Sequence, residues 1–187
     1  MGEKEKKPLF VKTGFSFVTS EGTDVSFGPL VAMGGSIQVD SESDTNRYAL
    51  DFLAMGGSLS VGSEVSFDFA TTDMYSDGIV YANPLRNSNP AIDDLTGPCL
   101  IYQGQVAPGT GMSGAIMFLS VGLGLAASWI AFSTGVGATL VPAIVISSSH
   151  AIVVYWGNLI SLPSAGVTGA LGYLSVSDAR VMKSAFK

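Results

Sequence analysis

Only a few side-chain patterns in this 187-residue chain have the types and spacing that chemistry requires. Gly109-Thr110-Gly111-Met112-Ser113-Gly114 matches Gly-x-Gly-x-x-Gly ahead of a run that reads as helical, which is the context of a dinucleotide-binding turn. Such a site also needs an acidic residue near twenty positions further on to hold a ribose hydroxyl, and here the next one is Asp178. A flexible entry into an apolar segment explains these glycines better. Asp40, Glu42, Asp44 and Asn46, with Asp51 at the twelfth position, imitate the oxygen-ligand spacing of a calcium loop. Thr45 stands where that loop turns sharply on Gly, Asp51 stands where a bidentate Glu is usual, and the flanks read as strands. A solvated hairpin tip is the simpler expectation.

Nucleophilic catalysis would have to use His150, the single histidine, which follows Ser147-Ser148-Ser149 inside an apolar run. An ionisable group in such a run suggests either a packed neutral ring or, with Ser147 and Ser149, a polar network lining a lumen. Asp93-Asp94 and the pair Asp73 and Asp77 have no evident partner, and Cys99 is alone, so no intramolecular disulfide is possible. These sets assemble no catalytic constellation, and neither an enzyme, a cofactor nor a bound metal is expected.

The elements that would position these groups fall into two compositional regions. Between Asp94 and Asp178 lie 83 residues without Asp, Glu, Lys or Arg, in a chain that is 13% charged overall. Ordinary soluble proteins are roughly a quarter charged, so this stretch is built for burial in a membrane or an assembly. The first 94 residues carry six basic against fourteen acidic side chains. An acidic body without a basic stripe argues against nucleic acid as a partner.

Residues 1–94 read as an acidic β-rich domain. Leu9, Val11, Phe15 and Phe17 alternate, as do Tyr48, Leu50 and Phe52, and then Val65, Phe67 and Phe69. The nine residues Val31 to Val39 return 22 positions later as Leu53 to Val61, around an identical Ala-Met-Gly-Gly-Ser core. The repeat predicts two similar strand units with Gly-Gly bends in one antiparallel sheet. Residues 95–112, with Pro98 and Pro108, read as a linker. Residues 113–177 form the apolar region, and 178–187 a short basic tail.

Ser113 to Phe132 is mostly apolar over twenty residues, the length that spans a bilayer core of about 30 Å as a helix. A second run from Ala138 to Trp156 completes a candidate transmembrane helical hairpin. Its β-branched content, including Ile152, Val153 and Val154, fits a buried strand as well. Ser120 and Gly124, and Gly122 and Ala126, lie four apart, a spacing that lets helices pack closely in lipid. Trp129, Tyr155 and Trp156 are candidate interfacial or packing anchors.

The fold class expected is therefore α+β, an N-terminal antiparallel β domain followed by an apolar transmembrane hairpin. Met1 to Lys7 is a charged start without the apolar core of a Sec-type signal, so membrane association by another route is expected. The function expected is that of a membrane-inserting, oligomeric, pore-forming toxin or effector with the lipid bilayer as partner. The alternative is a structural self-assembling subunit, a coat, shell or tube protein, whose uncharged region is buried between copies of a homo-oligomer.

Overall fold

The computed structural model describes residues 11–27, 30–61, 71–87, 89–106, 112–122, 144–158 and 165–181. Ten strands carry these residues: β1 (Val11–Lys12), β2 (Phe15–Phe27), β3 (Leu30–Ser41), β4 (Asn46–Val61), β5 (Thr71–Tyr75), β6 (Asp77–Ala82), β7 (Gly97–Val106), β8 (Met112–Leu119), β9 (Ala151–Asn158) and β10 (Ala165–Val181). A 3-10 turn, Ile92–Leu95, precedes β7, and a helical turn at 144–148 precedes β9. All strand pairs are antiparallel, in the order β1-β6-β9-β8-β7-β10-β4-β3-β2-β5.

The two ends of that order meet. β1 runs into β2 through Thr13-Gly14, and β5 runs into β6 through Ser76. β1 pairs with β6, from Val11↔Ala82, while β2 pairs with β5, from Ser20↔Tyr75. At the junction the Thr13 amide donates to the Val80 carbonyl at 3.2 Å. The sheet thus closes into a barrel of eight staves, with β1–β2 counted as one and β5–β6 as another. Numbered along the chain, the staves follow each other around the barrel as 4-1-2-3-8-5-6-7. Each half, 4-1-2-3 and 8-5-6-7, is a Greek key.

Period-two alternation fills the interior. Val31, Met33, Ile37 and Val39 of β3, Leu50, Phe52 and Ala54 of β4, Cys99 and Ile101 of β7, Ala115, Met117 and Leu119 of β8, and Ala151, Val153 and Tyr155 of β9 belong to one core. Leu95, from the 3-10 turn, joins the same cluster. Two glycines are required by close approach. A Cβ at Gly56 would run into the carbonyl of Gly169, and one at Gly78 would lie 2.7 Å from the Phe17 ring at the closing seam.

The expected α+β class is overturned, and with it the transmembrane hairpin. Residues 112–119 and 151–158, at the two ends of the apolar stretch, are strands β8 and β9, and they pair with each other from Met112↔Asn158 to Leu119↔Ala151. Among the described residues no helix is long and apolar enough to cross a membrane. Among the described residues there is no helical hairpin to serve as the membrane-inserted, pore-forming element expected there; residues 123–143 lie outside them. The physical reason is that these strands are apolar on both faces. Ala115, Met117 and Leu119 point inward while Ile116 and Phe118 point outward, so the period-two signal disappears and a continuous apolar run remains.

Candidate functional site, an uncharged outer wall

The residues singled out by their chemistry go to structural duties. Asp40 forms a two-point ion pair with Arg47, Oδ1 to Nε at 2.6 Å and Oδ2 to Nη2 at 2.9 Å. Asp44 accepts from the Tyr48 hydroxyl and, at 3.2 Å, from the Asn46 amide. The Tyr48 bond, followed by one from Ser41, holds the Asp44 carboxyl below the usual carboxylate range. The same bond raises the Tyr48 phenol. This is a hairpin tip with its carboxylates engaged, and among the described residues no three His, Cys, Asp or Glu side chains come together as a metal site. Of the Gly-x-Gly-x-x-Gly run, Gly109, Thr110 and Gly111 lie outside the described residues, while Gly114 stands in strand β8.

Ser147, Ser148 and Ser149 each donate a hydroxyl to the carbonyl three residues back, at 3.0, 3.2 and 3.1 Å. His150 Nδ1 lies 3.1 Å from the Ser120 carbonyl, and the His150 amide donates to Leu119 at 3.0 Å. Asn83, 1% exposed, clamps this segment from across the chain: its Nδ2 donates to the carbonyls of Ile146 and Ser149, both at 2.8 Å. Ser120 and Gly122 both adopt positive φ in the turn leaving β8. Gly124, Ala126 and Trp129 lie outside the described residues.

One end of the barrel interior is polar. Gln103 Nε2 donates to the Tyr75 hydroxyl at 3.0 Å, Ser20 is buried beside them, and the Tyr155 ring meets Tyr75 edge-on at 4.8 Å and stacks on Phe17 at 5.8 Å. The cavity there is about 20 Å³, room for a single water.

The outer face differs in kind. Strands β7, β8, β9 and β10 as far as Ser177 all lie within the charge-free stretch, and they are adjacent in the barrel as the second Greek key. Half of the barrel wall is therefore uncharged on its outside as well as its inside. Register aligns the outward side chains in rows across strands. Met55, Leu171, Leu100, Phe118 and Ile152 form one row, and Gly57, Gly169, Tyr102, Ile116 and Val154 the next.

Val121, and Val145 of the 144–148 turn, roof Leu100, Phe118 and Leu171. Ile152, at 5%, is buried as well and Val154 is half-buried, while Leu53 is exposed at 70%, Met55 at 72%, Tyr173 at 59%, and Tyr102, Ile116 and Trp156 at about four-tenths. The Tyr102 ring meets Phe118 edge-on and lies over the bare backbone of Gly169, whose Cβ position is 3.3 Å from it. Tyr155 and Trp156, neighbours in sequence, thus separate to opposite faces of β9, core and wall. Leu53, Met55, Tyr102, Ile116 and Tyr173 were not singled out by sequence reasoning. The signal available for them was apolar residues on both parities of a strand.

No protein-family model matches the chain, and no curated protein or solved structure gives a significant match.

Proposed function

We propose that the protein is a structural self-assembling subunit, of the coat, shell or tube kind, whose uncharged wall is buried against other copies of itself. The observation that carries this reading is that one contiguous half of the closed barrel, β7 to β10 as far as Ser177, is drawn entirely from the 83-residue charge-free stretch. A barrel core requires apolar residues only on its inner face. Here the outer face is apolar too, which is the composition of an obligate interface resembling a core cut in half.

Charge supports copies as the occupants. The chain carries −6 at neutral pH, so identical molecules repel, and they can meet without bringing like charges together only through this wall. A bilayer surrounding the barrel would need an apolar belt on every stave. The outward positions of β3 and β4 instead include Ser36, Gln38 and Asp51. Area is of the right order. Five adjacent strands, β4, β10, β7, β8 and β9, at about 4.8 Å spacing and eight residues long at about 3.4 Å each, span roughly 650 Å² before the patch roofed by Val121 and Val145 is taken off. A standard interface takes about 800 Å² from each partner.

Sedimentation equilibrium from 1 to 100 µM tests this reading. The wild-type chain is expected as a dimer or larger, Ile116→Lys as a monomer, and Gln38→Lys on the opposite half as indistinguishable from wild type. A wild-type chain that stays monomeric at the highest concentration sinks the reading.

A further inference from the structure

The wall is uncharged, but it is not smooth. Its outward positions combine large side chains with glycines, and Gly57, Gly169, Gly104 and Gly114 all fall on the same side of the Met55–Ile152 row. Gly34 lies beside Leu53, Gly57 is next to Gly169, and Gly104 is directly opposite Gly114 between Tyr102, Ile116 and Trp156. Tyr102 covers the Gly169 gap from within the same chain. The Gly104 gap is open among the described residues: a Cβ there would meet none of their atoms within 4 Å, and the Gly104 backbone lies outside the left-handed region. Neither its backbone conformation nor a close contact with a described residue therefore demands glycine at 104. Glycine within a strand weakens it, so its presence in β7 costs stability.

We infer that a second copy of this chain docks on the wall by interdigitation, with Leu53, Met55 and Tyr173 of one copy entering the glycine-floored gaps of the other, Gly104–Gly114 chief among them. The inference rests on the self-assembly reading and adds how the faces fit. Packed sheet faces lie about 10 Å apart with their side chains interleaved, so a face bearing long side chains everywhere cannot approach its own copy that closely. A group of glycines relieves this obstacle where the long side chains of the other copy fall on it. The occupant is a copy of the chain because both halves of the fit are present on one surface, and because the surface lacks the charge that would select a basic or acidic partner. The closed barrel points the same way, since a closed sheet offers few free backbone edges for strand addition. On the β7 side of β10, residues 175–181 continue beyond the described pairing, but they carry a register shift between Val176 and Asp178 and the Asp178–Arg180 ion pair. Bulges and charges of this kind protect an edge from pairing.

The test uses two variants whose effects separate interdigitation from simple apolar adhesion. Gly104→Leu adds apolar surface to the wall. Adhesion would make association tighter, whereas interdigitation makes it at least about tenfold weaker because the gap is filled. Met55→Ala removes a projecting side chain that is 72% exposed in the monomer, and it weakens association by a similar factor while leaving the thermal midpoint unchanged. Dissociation constants come from sedimentation, with circular dichroism checking the fold of each variant. If Gly104→Leu does not fold, Gly104→Val, apolar and suited to a strand, takes its place, because adhesion too predicts a weaker Met55→Ala. Wild-type association together with unchanged or tighter association of the folded variants overturns interdigitation and leaves self-assembly standing. A monomeric wild-type chain removes both.

Discussion

Replacing Asn83 by Ala should destabilise the barrel more than any substitution of similar size on its surface. The side chain is 1% exposed and holds three hydrogen bonds: two donated at 2.8 Å to the Ile146 and Ser149 carbonyls, and one accepted at 3.0 Å from the Leu85 amide. Truncation leaves all three backbone partners short of a bond in partly or fully buried positions. At about 1–2 kcal/mol each for groups that water reaches poorly, the loss comes to about 4 kcal/mol, a large fraction of an ordinary domain's stability. For a chain of this length each kcal/mol moves the midpoint by about 2–4 °C, so thermal unfolding followed by circular dichroism should show a fall of about 8–16 °C. Asn83→Asp provides a sharper check. It keeps the acceptor for Leu85 but turns a carboxylate toward two carbonyls, and it should be worse than Ala at neutral pH. A fall of less than about 3 °C for Ala, or an Asp variant as stable as wild type, would refute the view that Asn83 anchors residues 144–150.

Cys99 is buried in the core, and burial pushes its thiol up to about 12. Its raised value means that the contribution of the buried thiol to stability is complete below the free-thiol value near 8.5 and is lost as pH rises toward the folded value. Iodoacetamide at pH 8.5 should therefore leave native protein unlabelled and label it fully in denaturant; rapid labelling of the native chain would show that the site opens. Thr45 adopts φ 56 at the β3–β4 tip, a left-handed conformation that costs a side-chain-bearing residue about 1–2 kcal/mol. Thr45→Gly should raise stability by roughly 0.5–1 kcal/mol in urea unfolding, after the extra freedom of the unfolded glycine is set against the relieved strain, and a destabilised variant would contradict the assignment of strain there.

What was legible in the sequence depended on whether the two faces of a strand differ. Tyr48, Leu50 and Phe52 alternate with Ala49 and Asp51, and this contrast marks β4 and its inward face. Beyond Phe17 the parity switches at the register shift between Phe17 and Thr19, so that Ser20 rather than Thr19 is buried, and no local pattern signals it. The Ala-Met-Gly-Gly-Ser repeat does mark two strands of one sheet, yet its copies face opposite ways: Met33 is buried at 7% and Met55 exposed at 72%. Pairing of Met33 with Ala54 explains this, because cross-strand partners share a face and Met55 is one residue off. In β8 and β9 both faces are apolar, so neither period nor composition separates a strand from a span. His150 stood out as a lone titratable group in an apolar run, whereas the wall residues did not stand out at all. A residue that looks like core in sequence declares itself as surface only once its neighbours across the sheet are known.

β10 has a consequence for how the chain is made. It pairs with β4 from Ala165↔Val61 to Val181↔Asn46, and with β7 from Gly166↔Gln105 to Leu174↔Gly97. Among the described strands β10 leaves the ribosome after all the others, and it is the one that joins the two Greek keys on that side. Until it arrives, β4 and β7 are raw edges. Contacts spanning more than a hundred residues form late and slowly. A nascent chain of this protein therefore spends its synthesis as an open, adhesive sheet, and the hazard grows with the number of ribosomes on one message. For such a chain the speed with which this seventeen-residue strand docks matters alongside the stability of the finished barrel.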